Sequence, residues 1–481
     1  MLELPKGWVW ATVSTAIEKV PLSGRKLKRS EYQEEGILPV IDQGQIFVGG
    51  YTDRQELKAP CEPPVIIFGD HTKVIKYVNF DFVAGADGVR AIKPLGAFSP
   101  KLFYYFLQAI ELPEKGYARH FQFLEKSFIP LPPLPEQHRI VAKIEELFTR
   151  LDAGVEALKK IKAQLKRYRQ SVLKHAFEGK LTEEWRQAHK HELEPASVLL
   201  DRIKQERHKT AKGKYKELPP RDTTDLPELP KGWVWSNFEE LKKAQRNAIK
   251  AGPFGSSLKK ESYVPHGYRI YGQEQVIRQN PSYGNYYIGE EKYTELKSCA
   301  VKPGDILISL VGTIGKVLIL PEDSEPGIIN PRLIKLSLEE RLVDNKYIKA
   351  YIESSTVRDF FTLASHGETM EILNLGILRT LPIPVPSPTE QHKIVSEIER
   401  RFSVADEIEK TIDHSLKQSE RLRQSILRRA FEGKLVPQEP NDEPAEKLLE
   451  RIRQERARQQ AERKPARSSR NKSNTKQMGL V

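Results

Sequence analysis

Cysteine is almost missing from this chain. Cys61 and Cys299 are the only two in 481 residues, too few for a disulfide framework or a cysteine-built metal centre, and they fit a reducing, cytoplasmic setting. Long apolar runs are missing too: none approaches the roughly 18 to 20 residues of a membrane span, so no membrane partner is expected. The opening MLELPKGWVW has neither a basic leader nor an apolar stretch before a small-residue cleavage site. Catalytic signatures are equally scarce. No phosphate-cradling glycine loop with Lys-Ser/Thr, no dinucleotide glycine fingerprint after a strand, no His-Glu-x-x-His and no nucleophile elbow occurs. Gly69-Asp70-His71 and Asp87-Gly88 set acids beside turn glycines, a combination far commoner in plain loops than in active sites. Catalytic, cofactor-binding and metal-ligating residues are therefore expected to be none.

What is abundant is charge. Thirty per cent of the residues are charged, with a net +13 at pH 7, which favours a polyanionic partner. Part of that basicity belongs to a tail after Ala457, where Arg and Lys recur with the single acid Glu462 and almost nothing apolar, a composition expected to stay disordered. The length is too great for one hydrophobic core and fits two to four domains.

The organisation is a duplication. LPKGWVW stands at 4–10 and 229–235; EQH-x-IV begins at Glu136 and Glu390; both following segments run to an identical AFEGKL, at 176–181 and 430–435. A third pair, EPASVLLDRIKQERH from Glu194 and EPAEKLLERIRQERA from Glu443, carries the repeat almost to the C-terminus. A unit this long excludes solenoid repeats of a few tens of residues. Two similar surfaces in one chain suit a partner with its own approximate two-fold symmetry, such as a nucleic-acid duplex.

From 135 to 181 the apolar pattern predicts a long helix with a seven-residue period. Ile144, Leu151, Leu158, Leu165 and Val172 make one line and Ile140, Leu147, Ile161 and Tyr168 the alternate one, broken at Gly154. The second copy, 389–435, places Ile398, Ala405, Ile412, Ser419 and Ile426 against Ile394, Ile408 and Leu422. Proline-rich stretches precede both, and Gly179 and Gly433 stop them. The two helices are expected to pair within the chain as a coiled coil, since each supplies the other at high effective concentration.

Segment 182–228 reads as a short amphipathic helix, about Ala196 to Lys209, and a polar linker; 436–481 repeats the short helix before the basic tail. The blocks 1–134 and 229–388 are α+β globules with apolar strand-like runs (PPVIIFGD, VIKYV; GDILISLVG, KVLIL, PRLIKLSL) and one helix near each end, Pro100 to Ile110 and Asn345 to Phe361. The predicted fold class is thus α+β: two globules and two long helices in a pseudo-two-fold repeat.

Arg and Lys contact guanine or phosphate, and Gln and Asn pair with adenine, so the polar loops of the globules are the candidate DNA surface. The first globule offers Lys26, Lys28, Arg29, Gln43, Gln45, His71, Lys73, Arg90, Arg119 and His120. The second offers Ser256, Ser257, Lys259, Lys260, Gln273, Gln275, Arg278, Thr313, Arg332 and His366. LKRSEYQEEG at 27–36 lines up with LKKESYVPHG at 258–267, which pairs Lys28 and Arg29 with Lys259 and Lys260, and Gln43 and Gln45 with Gln273 and Gln275 if one residue is skipped.

The LPKGW starts, the EQH-x-IV helix starts and the AFEGKL endings, each present twice and in order, with the GPFGSSLKKESY block of the second half, where the first has RKLKRSEY, make the chain similar to the specificity subunits of Type I restriction-modification systems. The resemblance implies two target recognition domains, each binding one half of a split site in double-stranded DNA, spaced by an antiparallel coiled coil. It implies a subunit without catalysis of its own, docked to two methyltransferase subunits and usually two endonuclease/translocase subunits. S-adenosylmethionine and ATP are then expected only on those partners. The competing expectation is a coiled-coil scaffold that binds proteins without DNA specificity.

Overall fold

A computed structural model describes residues 3–451 apart from 87, 97, 115, 117, 211–225, 255–256, 311–313 and 365–374, together with 453–454 and 457–458. The expected polar linker, the basic tail and Asp87 therefore lie mostly or wholly outside the described residues. The chain divides into two units, residues 1–159 with 413–481, and residues 160–412.

In the first unit the run PPVIIFGD becomes a strand, Val65–Gly69, buried at all five positions. It lies between Val89–Pro94 and Ile75–Val78 in an antiparallel sheet completed by Ile17–Lys19, with Ile66 opposite Ile92 and Phe68 opposite Arg90. An unbroken apolar run is what a strand covered on both faces requires. A second sheet orders Lys26–Leu27, Val83–Gly85, Leu38–Ile41 and Gly50–Thr52. Helix Pro100–Ala109 begins on proline, whose missing N–H costs nothing at that position, and buries Leu102, Phe103, Phe106 and Leu107.

The second unit repeats this plan. Ile249–Ala251, Leu333–Leu336, Ile306–Ser309 and Val317–Ile319 form the antiparallel sheet. Tyr263–Val264, Tyr287–Ile288, Tyr268–Tyr271, Gly327–Ile329 and Ala300–Val301 form the mixed one. The single helix expected from Asn345 to Phe361 is two, Asn345–Ile352 and Ser355–Ala364, separated at Glu353 and the buried Ser354.

Both long helices form, Leu134–Phe177 and Pro388–Phe431, each of 44 residues. Each globule's core is closed by the start of one helix and the end of the other. Ile140, Ile144 and Phe148 join Ile426, Leu427 and Ala430 in the first unit; Ile394 and Ile398 join Val172 and Phe177 in the second. The helices pair antiparallel. In the second unit Lys162 reaches Glu409 (3.7 Å) while Arg169, further along, reaches back to Asp406 (2.6 Å) and Glu409 (2.9 Å). In the first unit Arg423 bonds Asp152 and lies 4.1 Å from the ring centre of Phe148. Arg169 and Arg423 occupy the same repeat position, as do Asp406 and Asp152. One predicted line is confirmed, with Leu165 and Val172 buried, but Ile161, Tyr168, Ile408 and Leu422 are 41 to 52% exposed. Ile140 and Ile394 of the alternate line are fully buried at the helix starts, so the second seam holds there and gives way to flanking ion pairs further along.

The repeated motifs meet in a joint, once per unit. The Trp8 indole N–H donates to Glu136 Oε2 and the Trp233 N–H to Glu390 Oε2, both at 2.9 Å, with both carboxylates buried. Gln137 accepts the Ser99 N–H (2.7 Å) and Gln391 the Asp344 N–H (2.8 Å), so each glutamine ties the long helix to the start of a globule helix, Pro100–Ala109 or Asn345–Ile352. Gly179 and Gly433 have φ of +72° and +69°, and a Cβ on either would run into Pro230 or Pro5. Glycine is thus required twice over at the AFEGKL ending. Finally the Ala196 N–H donates to Gly232 O and the Ala445 N–H to Gly7 O, docking the short helix on the LPKGW turn.

Candidate nucleic-acid interface

Away from the joints, the polar loops of the globules carry the candidate surface. Lys28 and Lys259 each stand just before a one-turn 3₁₀ helix, Arg29–Glu31 and Lys260–Ser262, and Lys28, Arg29, Lys259 and Lys260 are all exposed. The pairing of these residues in sequence is therefore a pairing of the same turn in space. The glutamines also stand at matching places, two and four residues past the strands Leu38–Ile41 and Tyr268–Tyr271, but not in the same local form. Gln43 and Gln45 lie in a loop after Leu38–Ile41, whereas Gln273 and Gln275 belong to a helix, Gln273–Arg278. Gln275 is buried at 1%; its amide accepts the Gly272 N–H (3.0 Å) and donates to Tyr283 O (2.8 Å), so it closes its own loop and is not on the surface. Gln273 is half-buried.

In the first globule the loop at 42–47 and the turn at 70–73 touch. Gln43 Oε1 accepts the His71 N–H (3.3 Å), and the Thr72 hydroxyl donates to Gln43 O (2.7 Å). Lys73, at φ +59°, pairs with Glu114 at 2.9 Å. Lys76 carries no signal in the sequence, yet it organises this surface. Its buried ammonium donates to the carbonyls of Asp42 (2.8 Å) and Ile46 (2.6 Å), and burial pulls its pKa below the ordinary lysine value. That loop exposes Gln45, Ile46 and Phe47. His120 is fully buried with Nδ1 3.2 Å from Asp70 O, so the structure removes it from the candidate surface. Arg119 is exposed, and Arg90 is exposed and bonded to Asp70.

In the second globule the exposed Arg278 lies 4.3 Å from the ring centre of Tyr283. Arg332 is exposed beyond the turn in which its N–H donates to Asn330 Oδ1 (2.9 Å). Ser257 is half-buried, and Phe254 nearby is 88% exposed. Ser256, Thr313 and His366 lie outside the described residues. Among the described residues no group of three or more His, Cys, Asp or Glu is placed to hold a metal ion, and no helix is long and apolar enough to cross a membrane.

Comparison with known proteins agrees with this arrangement. The chain is 29% identical over 342 residues to the Type I restriction enzyme EcoBI specificity subunit of Escherichia coli, covering 69% of this chain and 65% of that one. It is 26% identical over 502 residues to the EcoKI specificity subunit of Escherichia coli strain K12, covering 95% and 97%. A chain solved in work on complex assembly and conformational transition of the type I R-M system superposes with a TM-score of 0.62 at 17% identity, covering 90% of this chain and all of that one, a likeness of fold. The sequence model of the Type I restriction modification DNA specificity domain matches twice, over residues 5–167 and 254–418, and the chain belongs to that family.

Proposed function

We propose that this chain is the non-catalytic specificity subunit of a cytoplasmic Type I restriction-modification complex, reading a bipartite site in double-stranded DNA with one half per globule. It docks two methyltransferase subunits and two endonuclease/translocase subunits, and S-adenosylmethionine and ATP bind those partners alone. The observation that carries the reading is a contrast within the molecule. The Trp–Glu, Gln and glycine contacts of the joint recur in both units, while the loops displayed by the two globules differ in residue and local form. A common frame with divergent surfaces suits two readers with different targets. The exposed Lys28, Arg29, Lys259 and Lys260, on the turn common to both, supply phosphate contacts; the unshared Arg90, Arg119, Arg278 and Arg332 supply base contacts. Genome-wide mapping of methylated adenine in cells carrying this subunit with its methyltransferase tests the proposal. A split motif with a fixed gap is expected; methylation without a motif contradicts it.

A further inference from the structure

One arginine of the first globule divides its donors between the protein and solvent. Asp70, 1% exposed, follows the central strand Val65–Gly69 and is held on several sides. Its N–H donates to Gly88 O (2.6 Å), its carbonyl accepts the His120 N–H (2.8 Å), and its Oδ1 accepts the Phe121 N–H (2.8 Å). Its Oδ2 then accepts both Nε (3.2 Å) and Nη2 (3.1 Å) of Arg90. A guanidinium has five N–H donors in a rigid plane. Two are spent on Asp70, which leaves the Nη1/Nη2 end for a ligand on a side chain 46% exposed. The group also lies 5.7 Å from the ring centre of Phe121. Little rotamer freedom remains to be lost on binding.

Arg90 lines a groove of about 890 Å³ together with Lys26, Arg119 and Gln122 and with Glu125, whose charge Lys19 meets at 2.6 Å. Gly24, also on its rim, has φ +73°, and a Cβ there would meet nothing within 4 Å. The second globule has the same ladder without this pair. Phe68 faces Arg90 where Ile308 faces Ile334, and the Asp70 N–H bonds Gly88 O where the Leu310 N–H bonds Arg332 O. Ile334 and Leu310 therefore stand in place of Arg90 and Asp70, and the common fold does not need the ion pair.

We propose that Arg90 reads a guanine in the half-site of the first globule through the O6 and N7 acceptors, with Asp70 as its positioning residue. The assignment rests on the DNA-reading function proposed above. The free fork matches the two acceptors that guanine shows in the major groove, whereas phosphate needs only a point charge such as a lysine carries.

The test uses the complex of this chain with its methyltransferase. Its site is first mapped in the wild type, then in Arg90→Gln, Arg90→Lys and Asp70→Asn. One G·C position in one half-site is expected to relax in both Arg90 variants, with discrimination there falling roughly ten- to a hundredfold and the other half unchanged. Arg90→Lys keeps the charge, so its salt dependence should match the wild type. Asp70→Asn should relax the same position, an effect that a merely structural role does not produce; if that variant fails to fold, the Arg90 pair decides. A uniform loss across sequences with a shallower salt slope in Arg90→Gln, or unchanged preference at every base, overturns the assignment while leaving the subunit's function standing. A wild-type complex with no sequence motif overturns that function, and this assignment with it.

Discussion

At the scale of the residue, the joint gives Trp8 and Glu136 a role that neither motif announces alone. Removing the acceptor in Glu136→Ala leaves a buried indole N–H unsatisfied, a loss of about 1–3 kcal/mol, whereas Glu136→Gln keeps an acceptor and should cost less; thermal unfolding of the two variants checks the order. Burial, opposed by bonds from Trp8 and Gln438, raises the Glu136 pKa. A carboxyl that binds its proton more tightly in the folded state contributes stability that falls as pH rises from the ordinary carboxylate value through the raised one. Glu136→Gln should flatten that fall in a pH series of unfolding midpoints; an unchanged profile would deny the group its part. The exposed lysines make a different prediction. Lys259→Ala with Lys260→Ala should weaken binding to all sequences alike and flatten the log–log salt dependence by about 0.9 for each phosphate the two lysines neutralise, which titrations at several salt concentrations measure. The lysine turn is legible in the sequence because like residues recur at like places. Gln275 is not, because a glutamine that caps its own loop has the same letter as one that reads a base. Asp70 is not either, because a Gly-Asp turn looks ordinary until its carboxylate is seen to hold an arginine.

At the scale of the element, apolar periodicity locates the long helices within a few residues, since proline fixes their starts and Gly179 and Gly433, in a left-handed conformation, fix their ends. It does not say which of two candidate lines is buried. Leu165 is 8% exposed and Ile161 41%, because ion pairs such as Arg169 to Asp406 occupy the flank where a second apolar line would run. Leu165→Ala should accordingly cost about 2–3 kcal/mol and Ile161→Ala under about 1 kcal/mol, as chemical denaturation can show; equal costs would restore the second seam. The break at Ser354 is invisible in the apolar pattern for a related reason. Both flanking pieces are amphipathic, and the one boundary signal is Ser354 itself, whose Oγ accepts the Val357 N–H (3.4 Å) at the start of the second helix.

At the scale of the whole molecule, duplication is the feature most open to reading, and it predicts that the globules are exchangeable parts. Their edges are the repeated motifs, which bond to one another in each unit through Trp8 and Glu136 or Trp233 and Glu390 and so leave the globule interiors free to differ. Which bases are read lies beyond the sequence, because it depends on how each loop is held. The most direct measurement is the map of methylated adenine in cells whose specificity subunit has residues 11–129 replaced by the equivalent block of a relative, compared with the map for the natural chain. The account predicts one altered half-site, with the other half and the gap between them retained; a change in both halves, or in the gap, would contradict the claim that each globule reads its own half.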